Sequence, residues 1–104
     1  MYKTITTEPA EQDIRQAAWY IARELQNLTA ANRLLDDIES AVASLKEMPK
    51  VHALVKNEEL ANSGFRSLPV SKYLIFYIVR DNKKSVMIER FLHSRRDWIH
   101  IIGQ

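Results

Sequence analysis

The sequence predicts a small α+β domain of order β-α-α-β-β-β. A two-helix hairpin packs on one face of a small, largely antiparallel sheet, and a short helix or tail ends the chain. Three observations carry this prediction. Two apolar stripes at helical spacing, over 14–28 and 34–48, flank a short polar break. The run YLIFYIV (73–79) is apolar on both faces, as a buried central strand is. Strand-like runs lie on either side of it, each a short turn away.

Residues 2–7, YKTITT, are aromatic and β-branched and read as the first strand. The pattern does not place it in the sheet. Thr7-Glu8-Pro9 reads as a helix start, because proline is tolerated in a first turn and Glu8, Glu11 and Asp13 complement the positive helix end. Ile14, Ala17, Ala18, Ile21, Leu25 and Leu28 form the first stripe, and Trp19 and Tyr20, beside it, are expected to pack. Asn27-Leu28-Thr29 breaks the run, with Thr29 able to cap the next helix. Leu34, Leu35, Ile38, Ala41, Val42, Leu45 and Met48 form the second stripe, and Pro49 stops it. Two helices of similar length with a short break make an antiparallel pair.

Residues 49–64 show no period, and Gly64 supplies the turn out of them. FRSLPV (65–70) is a strand that Pro69 confines to an edge or bulge. Residues 80–85 are a polar turn, and SVMIERFLH (85–93) is the last strand. Residues 95–102 form a short helix, with Ser94 as cap and Asp97 in its first turn.

The 104 residues make a single domain over 1–104, 46% hydrophobic and 27% charged, as a globular protein is. No apolar run reaches the roughly 20 residues of a membrane span. The N-terminus MYKTITTEP lacks the apolar core of a signal peptide, so a cytoplasmic protein is expected. There is no cysteine, hence no disulfide, thiol nucleophile or zinc-thiolate site. The net charge of +2 is unevenly spread. Residues 1–60 carry 7 Lys/Arg against 10 Asp/Glu, while residues 61–104 carry 8 against 3. The basic C-terminal part suits an anionic partner, such as nucleic acid or an acidic peptide.

The chemistry concentrates in RFLHSRRDW (90–98), where the last strand ends. Strand ends aim side chains into the space a loop leaves open. Arg95 and Arg96 offer planar forks that fit phosphate, and His93 can move a proton near neutral pH. The competing reading is a solvated ion-pair cluster of Arg95, Arg96 and Asp97. Arg66 and Arg90 lie on neighbouring strands. Alternation puts Arg66 with Leu68 and Val70, and Arg90 with Val86, Ile88 and Leu92. Either they extend the positive surface together or each is a partly buried structural arginine. His52 and His100 are isolated, and no His, Asp or Glu pair has a ligand spacing, so no metal and no cofactor are expected.

Taken together, GFRSLPV (64–70), YLIFY (73–77) and RFLHSRRD (90–97), after a strand and a helical hairpin, resemble the RelE/ParE toxins of bacterial type II toxin–antitoxin systems. The likeness covers almost the whole chain. It implies a growth-arresting toxin neutralised by a cognate antitoxin, whose acidic or amphipathic segment would cover the groove between sheet and hairpin. Arg66, Arg90, His93, Arg95, Arg96 and Trp98 are the residues expected to meet target or antitoxin.

The two branches of the family differ in target. RelE-like members resemble ribosome-dependent, metal-independent mRNA endonucleases. ParE-like members inhibit DNA gyrase and need no hydrolytic site. By position, Arg96, Arg66 and His93 correspond to basic and histidine residues of the ribonuclease branch. In that reading Arg66 and Arg96 hold the phosphate and His93 transfers the proton. Yet Leu74 stands where RelE-like enzymes carry a functional arginine, and the tail WIHIIGQ lacks their terminal tyrosine. The balance favours the gyrase branch, with the ribosome and its mRNA as the alternative target. A non-toxic basic RNA-binding or scaffold domain is the third reading.

Overall fold

In the computed structural model, which describes residues 1–103, four strands form one sheet of order β1-β4-β3-β2. The strands are β1 (Lys3–Thr6), β2 (Phe65–Val70), β3 (Tyr73–Arg80) and β4 (Ser85–His93). The helices are α1 (Glu8–Trp19), α2 (Leu28–Glu47), α3 (Glu58–Asn62) and α4 (Trp98–Ile102). Strands β2, β3 and β4 are antiparallel neighbours, as expected. The first strand, which pattern alone could not place, lies at the edge and runs parallel to β4. Pro69 sits on β2, the other edge strand. Gln104, the end of the WIHIIGQ tail, lies outside the described residues.

The start of α1 follows from its sequence. Thr7 Oγ1 accepts from the Ala10 amide at 3.2 Å, and proline stands in the first turn. Ala10 and Ala17 are buried, and their small side chains let α1 lie close to β4. Tyr20–Glu24 then form a π-helical turn, in which the Leu25 amide bonds back to the Tyr20 carbonyl at 3.2 Å. Three expectations fail around this turn. Trp19 and Tyr20 do not pack; they are 57% and 51% exposed. Trp19 follows buried Ala17 by two residues, about 200° round the helix, and so points away from the sheet. The stripe also ends early, because the wider turn takes Leu25 and Leu28 out into solvent. The cap of α2 is Asn27 rather than Thr29: its side chain accepts from the Ala30 amide at 3.0 Å.

On α2 the buried line runs through Ala31, Leu34, Ile38 and Leu45. Leu35 falls beside that line, and Met48 has already left the helix; both are exposed. The aperiodic 49–64 segment hides α3, capped by Asn57, which accepts from the Leu60 amide at 3.0 Å. Gly64, at φ 91°, takes the left-handed turn from α3 into β2, a region that favours glycine.

Strand β3 is central and buried on both faces: Ile75, Phe76 and Tyr77 are at most 1% exposed. On one side Ile75, Tyr77, Val86, Ile88 and Phe91 pack under Leu34, Ile38 and Leu45. On the other, Phe76 and Leu92 pack with Val55 and Leu60, and with Leu74, Trp98, Ile101 and Ile102. So α3, α4 and part of the 49–57 segment cover the face that the hairpin leaves.

A β-bulge corrects the strand alternation. Tyr77 pairs with Ile88 but Phe76 pairs with Arg90, which leaves Glu89 as the extra residue. Val86 and Ile88 therefore face the hairpin, whereas Arg90 and Leu92 follow Phe76 and Leu74 to the other side. Arg66 pairs with Tyr77, so Arg66 and Arg90 share neither a face nor a positive surface.

Strand β1 covers β4 only as far as Ile88. Beyond that point α1 covers the open edge. The Thr7 amide donates to the Ile88 carbonyl at 3.0 Å, and Thr7 Oγ1 donates to the Glu89 carbonyl at 2.9 Å. Asp13 Oδ2 accepts from the Phe91 amide at 3.0 Å. A strand edge that would otherwise invite pairing with another chain is satisfied by two side chains.

The Tyr77 hydroxyl donates to the Pro49 carbonyl at 2.6 Å, tying the loop after α2 to the central strand. Burial pushes this hydroxyl from 10.0 up to about 12. An unfolded tyrosine ionises near pH 10, where the folded one keeps its proton. Stability should therefore fall as pH rises from 10 to 12, by about 2–3 kcal/mol for a shift of this size. Tyr77→Phe should remove most of that alkaline loss and cost about 1 kcal/mol at neutral pH. Urea denaturation at pH 7 and pH 11 checks both.

Candidate functional site

The groove between α1 and the end of β4 is built by short-range contacts around His93. Across the ladder His93 pairs with Tyr73, their rings edge-to-face at 5.3 Å. Tyr73 also stacks on Phe91 at 4.8 Å, so two neighbours fix its ring. Burial, and then nearby Tyr20, raise the Tyr73 hydroxyl above its ordinary value. The Ser94 amide donates to the Lys72 carbonyl at 2.9 Å, which joins the β2–β3 turn to the chain leaving β4.

The chain then turns on His93 itself. His93 Nδ1 accepts from the Arg95 amide at 3.1 Å, and its carbonyl accepts from the Arg96 amide at 2.9 Å. This turn presents Arg95 and Arg96 to solvent, and among the described residues neither makes an ion pair. Asp97 does not neutralise them. It caps α4 by accepting from the His100 amide at 3.2 Å, the role the sequence assigned to Ser94. The ion-pair cluster therefore does not form.

The result is a groove of about 480 Å³. Asp13 and Gln16 of α1 and Tyr20 of the π-helical turn line one side; Tyr73, His93 and Arg96 line the other. His93 and Arg96 are thus brought together. Lys72 adds a fourth basic residue at the same end of the sheet.

The remaining candidates lie elsewhere. Arg66 donates to the His52 carbonyl at 2.6 Å. It pairs with Tyr77, while His93 pairs with Tyr73 two strands away. Four residues along and two strands across put the two Cα atoms roughly 16 Å apart. Arg90 donates to both Asp13 carboxylate oxygens, from Nε at 2.7 Å and from Nη2 at 2.9 Å. That bond raises its already high pKa. Trp98 rests on Phe76 at 5.1 Å, on the far face of the sheet from the groove. No three His, Asp or Glu side chains could hold a metal among the described residues.

The His93 bond decides its chemistry. A nitrogen that accepts an amide proton has committed its lone pair, so the neutral ring carries its proton on Nε2. His93 Nε2 is then a donor, as the Arg96 guanidinium is, while Gln16 and the tyrosine hydroxyls can donate or accept. The site is suited to holding carboxylate or other acceptor groups, more than to abstracting a proton. Sequence reading missed Asp13, Gln16, Tyr20 and Lys72 as parts of this region. A signal existed only for Lys72, which sits in the two-residue turn before the residue facing His93.

Residues 5–98 match the family of ParE toxins of the type II parDE toxin–antitoxin system. No curated protein sequence matches. Among solved structures, a chromosomal ParDE toxin–antitoxin system from P. aeruginosa aligns with TM-score 0.71 at 20% identity, over 89% of this chain and 96% of that one. The RelBE2 toxin–antitoxin complex from Mycobacterium tuberculosis aligns with TM-score 0.59 at 24% identity, over 89% and 98%. The intact RelBE complex from E. coli aligns with TM-score 0.60 at 16% identity, over 92% and 100%. These structural likenesses establish the shared fold, and the family match covers nearly the whole chain: the protein belongs to the ParE toxins of type II toxin–antitoxin systems.

Proposed function

We propose that this toxin arrests growth in the cytoplasm by binding and inhibiting DNA gyrase. We propose further that its cognate antitoxin neutralises it by laying an acidic or amphipathic segment in the groove between α1 and the sheet. The observation that carries the first reading is the bond that the Arg95 amide donates to His93 Nδ1, which takes up the lone pair a proton-abstracting ring would use. Arg66, the second phosphate holder a ribonuclease would use, is roughly 16 Å away by strand spacing and bonded to His52. Donors without a base suit binding. The groove's charge and its row of donors support an acidic occupant, and charge steering would speed its arrival.

A RelE-like mRNA endonuclease is the alternative, and it differs at one residue. His93→Gln keeps a polar side chain but removes the imidazole. A binding toxin should retain gyrase inhibition within about three-fold of wild type, whereas losing a proton-transfer group typically costs a factor of about 100 or more. Supercoiling inhibition and growth arrest, titrated against wild type, check this. A hundred-fold loss of growth arrest in a folded His93→Gln protein would overturn the proposal.

A further inference from the structure

We propose that the outer face of α1, centred on Trp19, is a second docking surface, and that it takes an acidic amphipathic helix of the protein this toxin acts on. The proposal rests on reading the chain as a binding toxin whose inner groove is left to the antitoxin.

The two surfaces use different sides of α1. Ala17 is buried toward the sheet, and Arg15 and Trp19 each lie about 200° from it round the helix. A cleft of about 510 Å³ opens there between Trp19 and Tyr20, with Arg15 and Gln16 at its rim. Its walls are almost wholly apolar. The Arg23 guanidinium lies over the Trp19 ring, 5.5 Å from its centroid. Arg15 has only a loose, exposed contact with Glu11 at 3.7 Å. Leu25 and Leu28, at the break between the helices, are exposed as well.

Tryptophan, tyrosine and arginine are the residues that dominate binding energy at protein interfaces. Here they are gathered on a helix face that contributes nothing to the core. The chemistry of the partner follows from the cleft. Apolar walls accept a leucine- or phenylalanine-sized side chain rather than a phosphate. Two arginines at the margin call for Asp or Glu beside that anchor. A helix supplies both at i, i+3 and i+4. Base stacking fits less well, because Arg23 already occupies one face of the Trp19 ring. Tyr20 and Gln16 line both the outer cleft and the inner groove. An antitoxin seated in the groove would therefore touch the wall the target needs, which gives neutralisation a direct route.

The test uses full-length Trp19→Ala and a double Arg15→Glu, Arg23→Glu variant, with Arg33→Glu on α2 as a charge control. Each is checked for an unchanged melting curve, then for growth arrest on induction and for capture by the cognate antitoxin. The proposal expects about ten-fold or greater loss of growth arrest in Trp19→Ala and in the double variant. It also expects antitoxin binding within about three-fold of wild type, and full arrest by Arg33→Glu. Retained arrest in both variants overturns it. So does loss of antitoxin capture, which would assign the face to the antitoxin. A labelled single-stranded RNA 12-mer that binds wild type but not the double variant also overturns it. The readout is growth arrest, so a wild-type toxin that leaves gyrase untouched would defeat the proposed target without touching this surface.

Discussion

Asp13→Ala should destabilise the fold by about 3–5 kcal/mol, the largest effect expected of any single change at the groove. The side chain of Asp13 is 10% exposed and holds three donors: Nε and Nη2 of Arg90 and the Phe91 amide. Alanine would leave a guanidinium only 26% exposed without its counter-charge, and a strand-edge amide without an acceptor. Removing one partner of such a pair costs more than removing both, because the survivor keeps its desolvation penalty. Asp13→Ala with Arg90→Met should therefore cost clearly less than the sum of the two single changes. Chemical denaturation of the four proteins in the cycle measures this. Additive costs would show that the pair is not coupled. The exposed β4 edge should also make Asp13→Ala more prone to self-association than Arg90→Met, which keeps the Phe91 bond.

Arg96→Glu should weaken the antitoxin complex by about 100-fold, the second large effect. Among the described residues Arg96 makes no ion pair, since the Asp13 carboxylate in the same groove is taken up by Arg90, and its reversal sets like charges against an acidic segment. Arg95 is exposed beyond the groove, so Arg95→Glu should act mainly through the association rate and fade in high salt. Stopped-flow or surface-binding kinetics at two salt concentrations separate the two. Equal effects of both changes at high salt would mean that the groove does not grip Arg96 specifically.

The fold was largely legible because its strongest signals are periodic. The two stripes, the doubly apolar YLIFYIV and the proline at the edge strand all reported local geometry that tertiary packing then used. Errors arose where one residue breaks the period. The bulge at Glu89 inverts the face of Arg90, and the π-turn after Trp19 ends the first stripe early. Both depend on packing between distant segments, which single-sequence alternation does not contain. Helix α3 was missed because five residues are too few to show a helical period, although Asn57-Glu58-Glu59 is a cap followed by first-turn acids.

The site was legible in part. His93, Arg95 and Arg96 stood out by residue type, and the structure brings His93 and Arg96 into one groove. The carboxylate that holds Arg90 beneath this groove was not visible. Asp13 lies 77 residues from Arg90 in sequence, and its pairing is a product of where α1 crosses β4. Trp19 and Tyr20 were read as packing because aromatic residues beside an apolar stripe usually are. Only the angle from Ala17 shows that Trp19 faces solvent.

As proposed, this toxin binds its target and does not cut RNA. The most direct measurement adds purified wild-type toxin in parallel to a DNA gyrase supercoiling reaction and to a translating extract whose mRNA ends are mapped. Supercoiling should be inhibited, the inhibition should be reversed by antitoxin, and no new mRNA ends should form. New ends at the ribosomal A site, with supercoiling unaffected, would contradict the proposal.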